Sequence, residues 1–223
     1  MKIDSKVKEK FPDLNILTTL IQDVTVKRES KGLEQFKKEF ISKIRLQYDI
    51  ETLKDVTELR LYRDFFWKIG IDPTKTRPAS EALIRRVIQG KPLPRINTLV
   101  DSYNLASMES RVPLAAFDND RISSDLLLRF AEKDEQFTGI GMKTPVLLEG
   151  NELVIQSGDE LIALYPHRDA DKSKITLSTE NAFIVVCGVP GISGQTLVNA
   201  KKVAESYITR FCDGRATSQG IDH

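Results

Sequence analysis

The string Tyr165-Pro166-His167-Arg168-Asp169-Ala170-Asp171 gathers residue types suited to acid–base work. His167 is the only histidine outside the extreme C-terminus, and a cation and a carboxylate follow it directly. An imidazole titrates near neutral pH, so His167 is a candidate to activate a water molecule, with Asp169 as its acidic neighbour. Arg168 carries a planar fork that suits a carboxylate or a phosphate. Pro166 stiffens the approach. The competing reading is a surface charge cluster whose members only pair with one another. One histidine and two nearby carboxylates make no persuasive metal-ligand set. Cys187 and Cys212 are too few and too far apart to add one. Neither a metal nor another cofactor is expected.

A second group is cationic. Lys75 and Arg77 lie among the hydroxyls of Thr74 and Thr76, in a loop held between Pro73 and Pro78 just before a helix start. Such a place suits an anion. Arg85, Arg86, Lys91 and Arg95 surround the end of that helix and are candidates to meet nucleic-acid phosphates. A solvated charged face is the plain alternative.

The elements that must position these residues are legible by period. Leu14 to Val26 reads as strand material. Leu33, Phe36, Phe40, Ile41 and Ile44 mark an amphipathic helix. A further helix is expected from about Ile50 to Lys68, with Phe65, Phe66 and Trp67 packed in the core. Ser80 is the expected N-cap of the next helix, through Leu83, Ile84, Val87 and Ile88, which Gly90 and Pro92 end. Ile96 to Leu105 is helical again, and Pro113 to Asp118 is extended. Later come strands at Leu126–Phe130, a hairpin joining 145–148 to 153–155, and a turn at Ser157-Gly158-Asp159 leading into Leu161–Tyr165. The apolar run Ala182 to Cys187 reads as a strand covered on both faces. A last helix runs from Leu197 to Phe211, and the tail from Asp213 is expected to fray. This mixture is α+β. The expected divisions are residues 1–60, an N-terminal strand and helices packed on the core, residues 61–212, and the tail 213–223, all in one compact domain.

Ile96-Asn97, Val100-Asp101, Tyr103-Asn104, Pro113 to Asp118 and Thr179-Glu180-Asn181 occur in that order. In order and spacing they closely resemble the editing domain of the phenylalanyl-tRNA synthetase beta subunit, over roughly residues 60–190. The resemblance implies a layered β/β/α architecture, and tRNA or an aminoacyl-tRNA as partner. It also implies a pocket that in the family holds a mischarged tyrosyl group. Residues 61–212 would then be an editing-type domain, here free-standing. The family's editing histidine, in Pro-Leu-His-Ala-Phe-Asp, falls on Ala115, and its glutamate on about Val185. Alanine and valine neither hold a water nor bind a phenol. The family's glycine-rich turn is replaced by the His167 string. Ala115, Val185, Asn181 and Arg168 are therefore carried over as substrate-binding candidates, although Thr179 and Asn181 also suit a purely local role at the strand's entry.

The totals bound the rest. The chain has 223 residues, 40% hydrophobic, with net charge +1. That balance argues against a protein that coats nucleic acid, while leaving room for a local basic face. No apolar run is long enough for a bilayer, and the N-terminus lacks a signal core, so a cytoplasmic location is expected. Nothing resembles an ATP-binding synthetase core. The leading reading is a tRNA or aminoacyl-tRNA binder that hydrolyses mischarged esters in trans. The alternatives are a non-catalytic binder of a free amino acid or similar metabolite, and an interaction module that docks on a synthetase.

Overall fold

β-Branched residues dominate β2 (Ile16–Val24), and β10 (Ala182–Cys187) is buried at every position. Both features favour a covered sheet. In the computed structural model, which describes residues 1–123 and 125–217, these strands pair antiparallel at the centre of a four-stranded sheet. Its order is β11-β2-β10-β3, with β3 spanning Leu114–Asp118 and β11 spanning Asp213–Thr217. A second sheet has the order β1-β4-β7-β8-β9, from Lys2–Ile3, Leu126–Phe130, Leu153–Ser157, Glu160–Leu164 and Arg168–Asp169. Only β1–β4 is parallel there.

Alternation along β10 separates its two faces. Ile184 is paired with Thr19, whose hydroxyl donates to Glu205 Oε1 on α6 (Gly194–Cys212) at 2.6 Å. The Ala182, Ile184 and Val186 face therefore meets helix. Phe183, Val185 and Cys187 point the other way, toward the five-stranded sheet. α5 (Thr98–Ser110) packs beside α6 on the helical side and against β3. The result is a β/β/α layering.

The remaining helices are α1 (Ser5–Lys10), α2 (Lys31–Gln47), α3 (Thr57–Lys68) and α4 (Ala79–Ile88). α2, α4 and α5 share a second apolar cluster that includes Leu33, Phe40, Ile84, Val87 and Leu105. Among the described residues no helix is long and apolar enough to cross a membrane.

Several local expectations are corrected. α3 starts at Thr57, after a 3-10 turn at Leu53–Asp55, rather than near Ile50. Phe65 and Phe66 are buried, but Trp67 is 57% exposed. Each helical residue turns about 100°, so three consecutive rings cannot share one face. Pro78, not Ser80, occupies the cap position of α4, and the buried Ser80 hydroxyl donates to the Arg111 carbonyl. Residues 145–155 do not form a hairpin. β6 (Val146–Leu147) pairs with β5 (Gln136–Phe137), while β7 pairs with β4 and β8. The tail does not fray at Asp213, because β11 closes the edge of the sheet against β2. The N-terminal strand material lies in that sheet as β2, between β11 and β10. Residues 218–223, including His223, lie outside the described residues.

Candidate functional site

Register across the five-stranded sheet builds one wall of a cavity. Ile155 on β7 stands opposite Ala163 on β8, and Ala163 stands opposite Asp169 on β9. Directly opposed residues share a face, with Cβ atoms about 5 Å apart. Ala115 and Cys187 form the facing wall from β3 and β10, and Tyr103 and Asn104 of α5 with Ala79 of α4 form the third side. The pocket between them, open at the rim where Arg168 stands, holds about 130 Å³. Its floor is fixed by two buried tyrosines. Tyr62 donates to the Cys187 carbonyl at 2.7 Å, and Tyr165 donates to the carbonyl of Gly188.

His167, Arg168 and Asp169 all line this cavity. The His167 backbone N–H donates to the Leu164 carbonyl, closing the turn between β8 and β9, and its ring stands edge-on to Phe66 with centroids 6.1 Å apart. Burial, and secondarily the Arg168 guanidinium, push its pKa down to about 4, so the imidazole is neutral at physiological pH. Its Nδ1 is buried without a protein partner. Burial pushes the Asp169 carboxyl up to about 7. Asp169 is only half-buried by surface area, but it borders the cavity rather than open solvent, and desolvation dominates. Burial first, then the Asp169 charge, raises the Tyr103 hydroxyl and the Cys187 thiol, so both stay protonated.

Arg168 is exposed at the rim. Its stem lies so close over Gly139 that a Cβ there would come within 2.6 Å of Arg168 Cδ, and Nη1 reaches the Ile140 carbonyl at 3.4 Å. Val185 is paired with Ala115 and shares its face, yet it is fully covered and Cys187 borders the cavity in its place. Asn181 sits before β10, six residues from Cys187 and thus roughly 20 Å away, where its amide meets Asp120 at 3.4 Å. Asn181, expected among the substrate-binding residues, is therefore outside the cavity.

The cations gather separately. Lys75, Arg77, Arg85, Arg86 and Lys91 line a cleft of about 530 Å³ together with Ala82, Leu83 and Gln89, and no carboxylate lines it. Arg85 is partly compensated by the buried Glu81 beneath it, at 3.2 Å. Arg95 is not in this cleft; it pairs with Glu34 at 3.1 Å. The cleft and the cavity share one segment. Arg77 lines the first, and Ala79, two residues on, lines the second. Among the described residues no three His, Cys, Asp or Glu side chains converge as a metal would require.

Among the residues that sequence reasoning missed as site members are Tyr103, Asn104, Ala79, Ile155, Ala163 and Cys187. Tyr103 and Asn104 carried a signal, since they form one of the spaced motifs. Ala163 and Ile155 carried none, because only strand register brings them beside Asp169.

Comparison with known proteins places this arrangement. The family model described as the B3/4 domain matches residues 61–223. The phenylalanine–tRNA ligase beta subunit of Psychrobacter arcticus is 39% identical over 85 residues, which are 38% of this chain and 10% of that protein. The corresponding subunit of Fusobacterium nucleatum is 32% identical over 99 residues, 44% of this chain and 12% of that protein. The match thus spans about a tenth of the length of these curated relatives. In fold, an N-terminal fragment of the phenylalanyl-tRNA synthetase beta subunit from Pyrococcus horikoshii aligns with a TM-score of 0.51 at 14% identity, covering 96% of this chain and 49% of that one. With the matched family model covering most of its length, the chain belongs to the B3/4 domain family.

Proposed function

We propose that the chain binds the acceptor end of an aminoacyl-tRNA and hydrolyses its aminoacyl ester. The cleft of Lys75, Arg77, Arg85, Arg86 and Lys91 takes backbone phosphates, and the cavity of His167 and Asp169 takes the aminoacyl group. The observation that carries this reading is the shared segment Arg77–Ala79, which sets a cationic cleft beside a cavity with a near-neutral carboxyl. Two residues span at most about 7 Å, on the order of one nucleotide.

Asp169 is the stronger base of the pair. A group with a pKa near the working pH combines availability with driving force. Its carboxylate takes a proton from water, and the water oxygen bonds to the ester carbonyl carbon. The carbon–oxygen bond to the ribose then breaks, and the ribose oxygen receives the proton. His167, neutral and with an unpartnered Nδ1, orients the water by hydrogen bonding. Arg168 at the rim meets the terminal phosphate. A panel of mischarged tRNAs tests this reading: wild type clears at least one, and Asp169→Asn and His167→Ala do not. Absence of turnover on every substrate would remove the catalytic claim.

Ala115 and Val185 favour a second reading, since they stand where the resemblance places the family's editing histidine and glutamate. In that reading the cavity binds a free amino acid without chemistry. A thermal shift with amino acids, in a protein without affinity for tRNA, would select it.

A further inference from the structure

The cavity walls specify more than a reaction class. Resting on the aminoacyl reading above, we propose that the side chain this site accepts is aliphatic and small, of at most about five heavy atoms, and that aromatic aminoacyl groups are excluded. The first argument is volume. An apolar cavity of about 150 Å³ is just large enough for benzene, which has six heavy atoms. The cavity here is about 130 Å³. It accommodates the four side-chain atoms of leucine or isoleucine, while a phenol has eight, counting its methylene.

The second argument is rigidity. Ile155 and Ala163 are opposed inside the five-stranded sheet, and Ala115 is opposed to Val185 inside the other. All four are at most 7% exposed. Enlarging the space would require displacing strands rather than rotating side chains, and packed interiors resist that. The floor is held as firmly, because Tyr62 and Tyr165 tie down the carbonyls of Cys187 and Gly188.

The third argument is polarity. Ile155, Ala163 and Ala115 offer no hydrogen bond, and the Cys187 thiol is a weak partner. The polar groups of the site are His167, Asp169 and Arg168, with Tyr103 and Asn104 on the α5 side, so the apolar surface is the one built by the strands.

The test uses adenosine carrying aminoacyl groups through a stable 3′-amide, titrated calorimetrically into the whole chain. Alanyl, valyl and leucyl forms are expected to bind at least tenfold more tightly than phenylalanyl and tyrosyl forms. Ala163→Leu, which fills the cavity, should lose the leucyl form and keep the alanyl form. Ile155→Val, a milder change, should move the optimum toward larger aliphatic groups if Ala163→Leu does not fold. Equal or tighter binding of the aromatic forms by wild type would overturn the size inference while leaving the aminoacyl reading intact. Binding of none of the five would overturn both.

Discussion

Asp169 stands directly across the β8–β9 pair from Ala163, whose side chain is a single methyl group. Ala163 offers it no hydrogen bond and no positive charge, and the carboxyl borders the cavity rather than open solvent. The carboxyl is therefore held in a poorly solvated place without a cation, and its pKa rises to about 7.

One consequence is kinetic. Ester hydrolysis by this chain should increase with pH through about 7, as Asp169 becomes the carboxylate. His167 contributes no inflection there, because it is neutral above about pH 4. Asp169→Asn should reduce kcat by about 10²–10⁴-fold and remove the rise near pH 7. A pH profile of single-turnover deacylation measures both, and a profile unchanged by the substitution would dismiss Asp169 as the base.

The same two groups leave opposite marks on stability. Asp169 has a folded pKa raised above its unfolded value, so the unfolded chain holds fewer protons between about pH 4 and pH 7, and stability falls across that window. His167 has a folded pKa lowered to about 4, so the unfolded chain holds more protons between about pH 4 and 6.5, and stability rises there. In wild type the two trends oppose each other below pH 6.5. Asp169→Asn should leave the His167 trend exposed, with urea midpoints rising from pH 4.5 to 6.5 more steeply than in wild type. It should also be more stable than wild type at pH 8. A variant less stable than wild type at that pH would contradict the assigned burial penalty.

The cleft predicts a salt signature. Removing one cation that neutralises a phosphate lowers the slope of log K against log salt by about one. Arg77→Ala and Lys91→Ala should weaken tRNA binding across tRNA species alike and flatten that slope stepwise. Arg95→Ala should leave it nearly unchanged, since Arg95 lies outside the cleft and pairs with Glu34. Filter binding across a salt series decides, and equal effects of all three substitutions would argue against a defined cleft.

Much of this architecture was legible in the residues, and the failures have a common cause. The run Ala182–Cys187 announced a doubly covered strand because apolar side chains occupy both alternating faces. The amphipathic period did the same for α2 and α6. The His167 string was legible by residue type, and so were the cations that meet in the cleft. What failed was non-local. Residues 145–155 look like a hairpin because two apolar runs flank a Gly-Asn turn, but the runs do not pair with each other: β6 takes β5, and β7 takes β4 and β8. Val185 faces the correct way and still misses the cavity, since Cys187, two residues on, reaches its edge. Trp67 follows two core phenylalanines and turns out to solvent. Pairing register and helical phase decide these cases, and neither is written in composition.

Tyr103 and Asn104 reach the cavity only if α5 keeps its place, and a buried ion pair fixes that helix. Lys37 Nζ on α2 lies 2.8 Å from Asp101 Oδ2 in the first turn of α5, with side chains 6% and 5% exposed. The other oxygen, Oδ1, accepts the Ile96 N–H at 3.1 Å, so Asp101 also closes the turn into the helix. Lys37→Met would leave a buried carboxylate without its cation, at a cost of about 3–5 kcal/mol. The double variant Lys37→Met, Asp101→Asn removes the charge and keeps an oxygen for Ile96, so it should recover part of that loss. Urea unfolding of the wild type, the two single variants and the double variant completes the cycle. A double variant no more stable than Lys37→Met alone would mean that the pair does not anchor α5, and that packing against α6 holds the cavity's third wall instead.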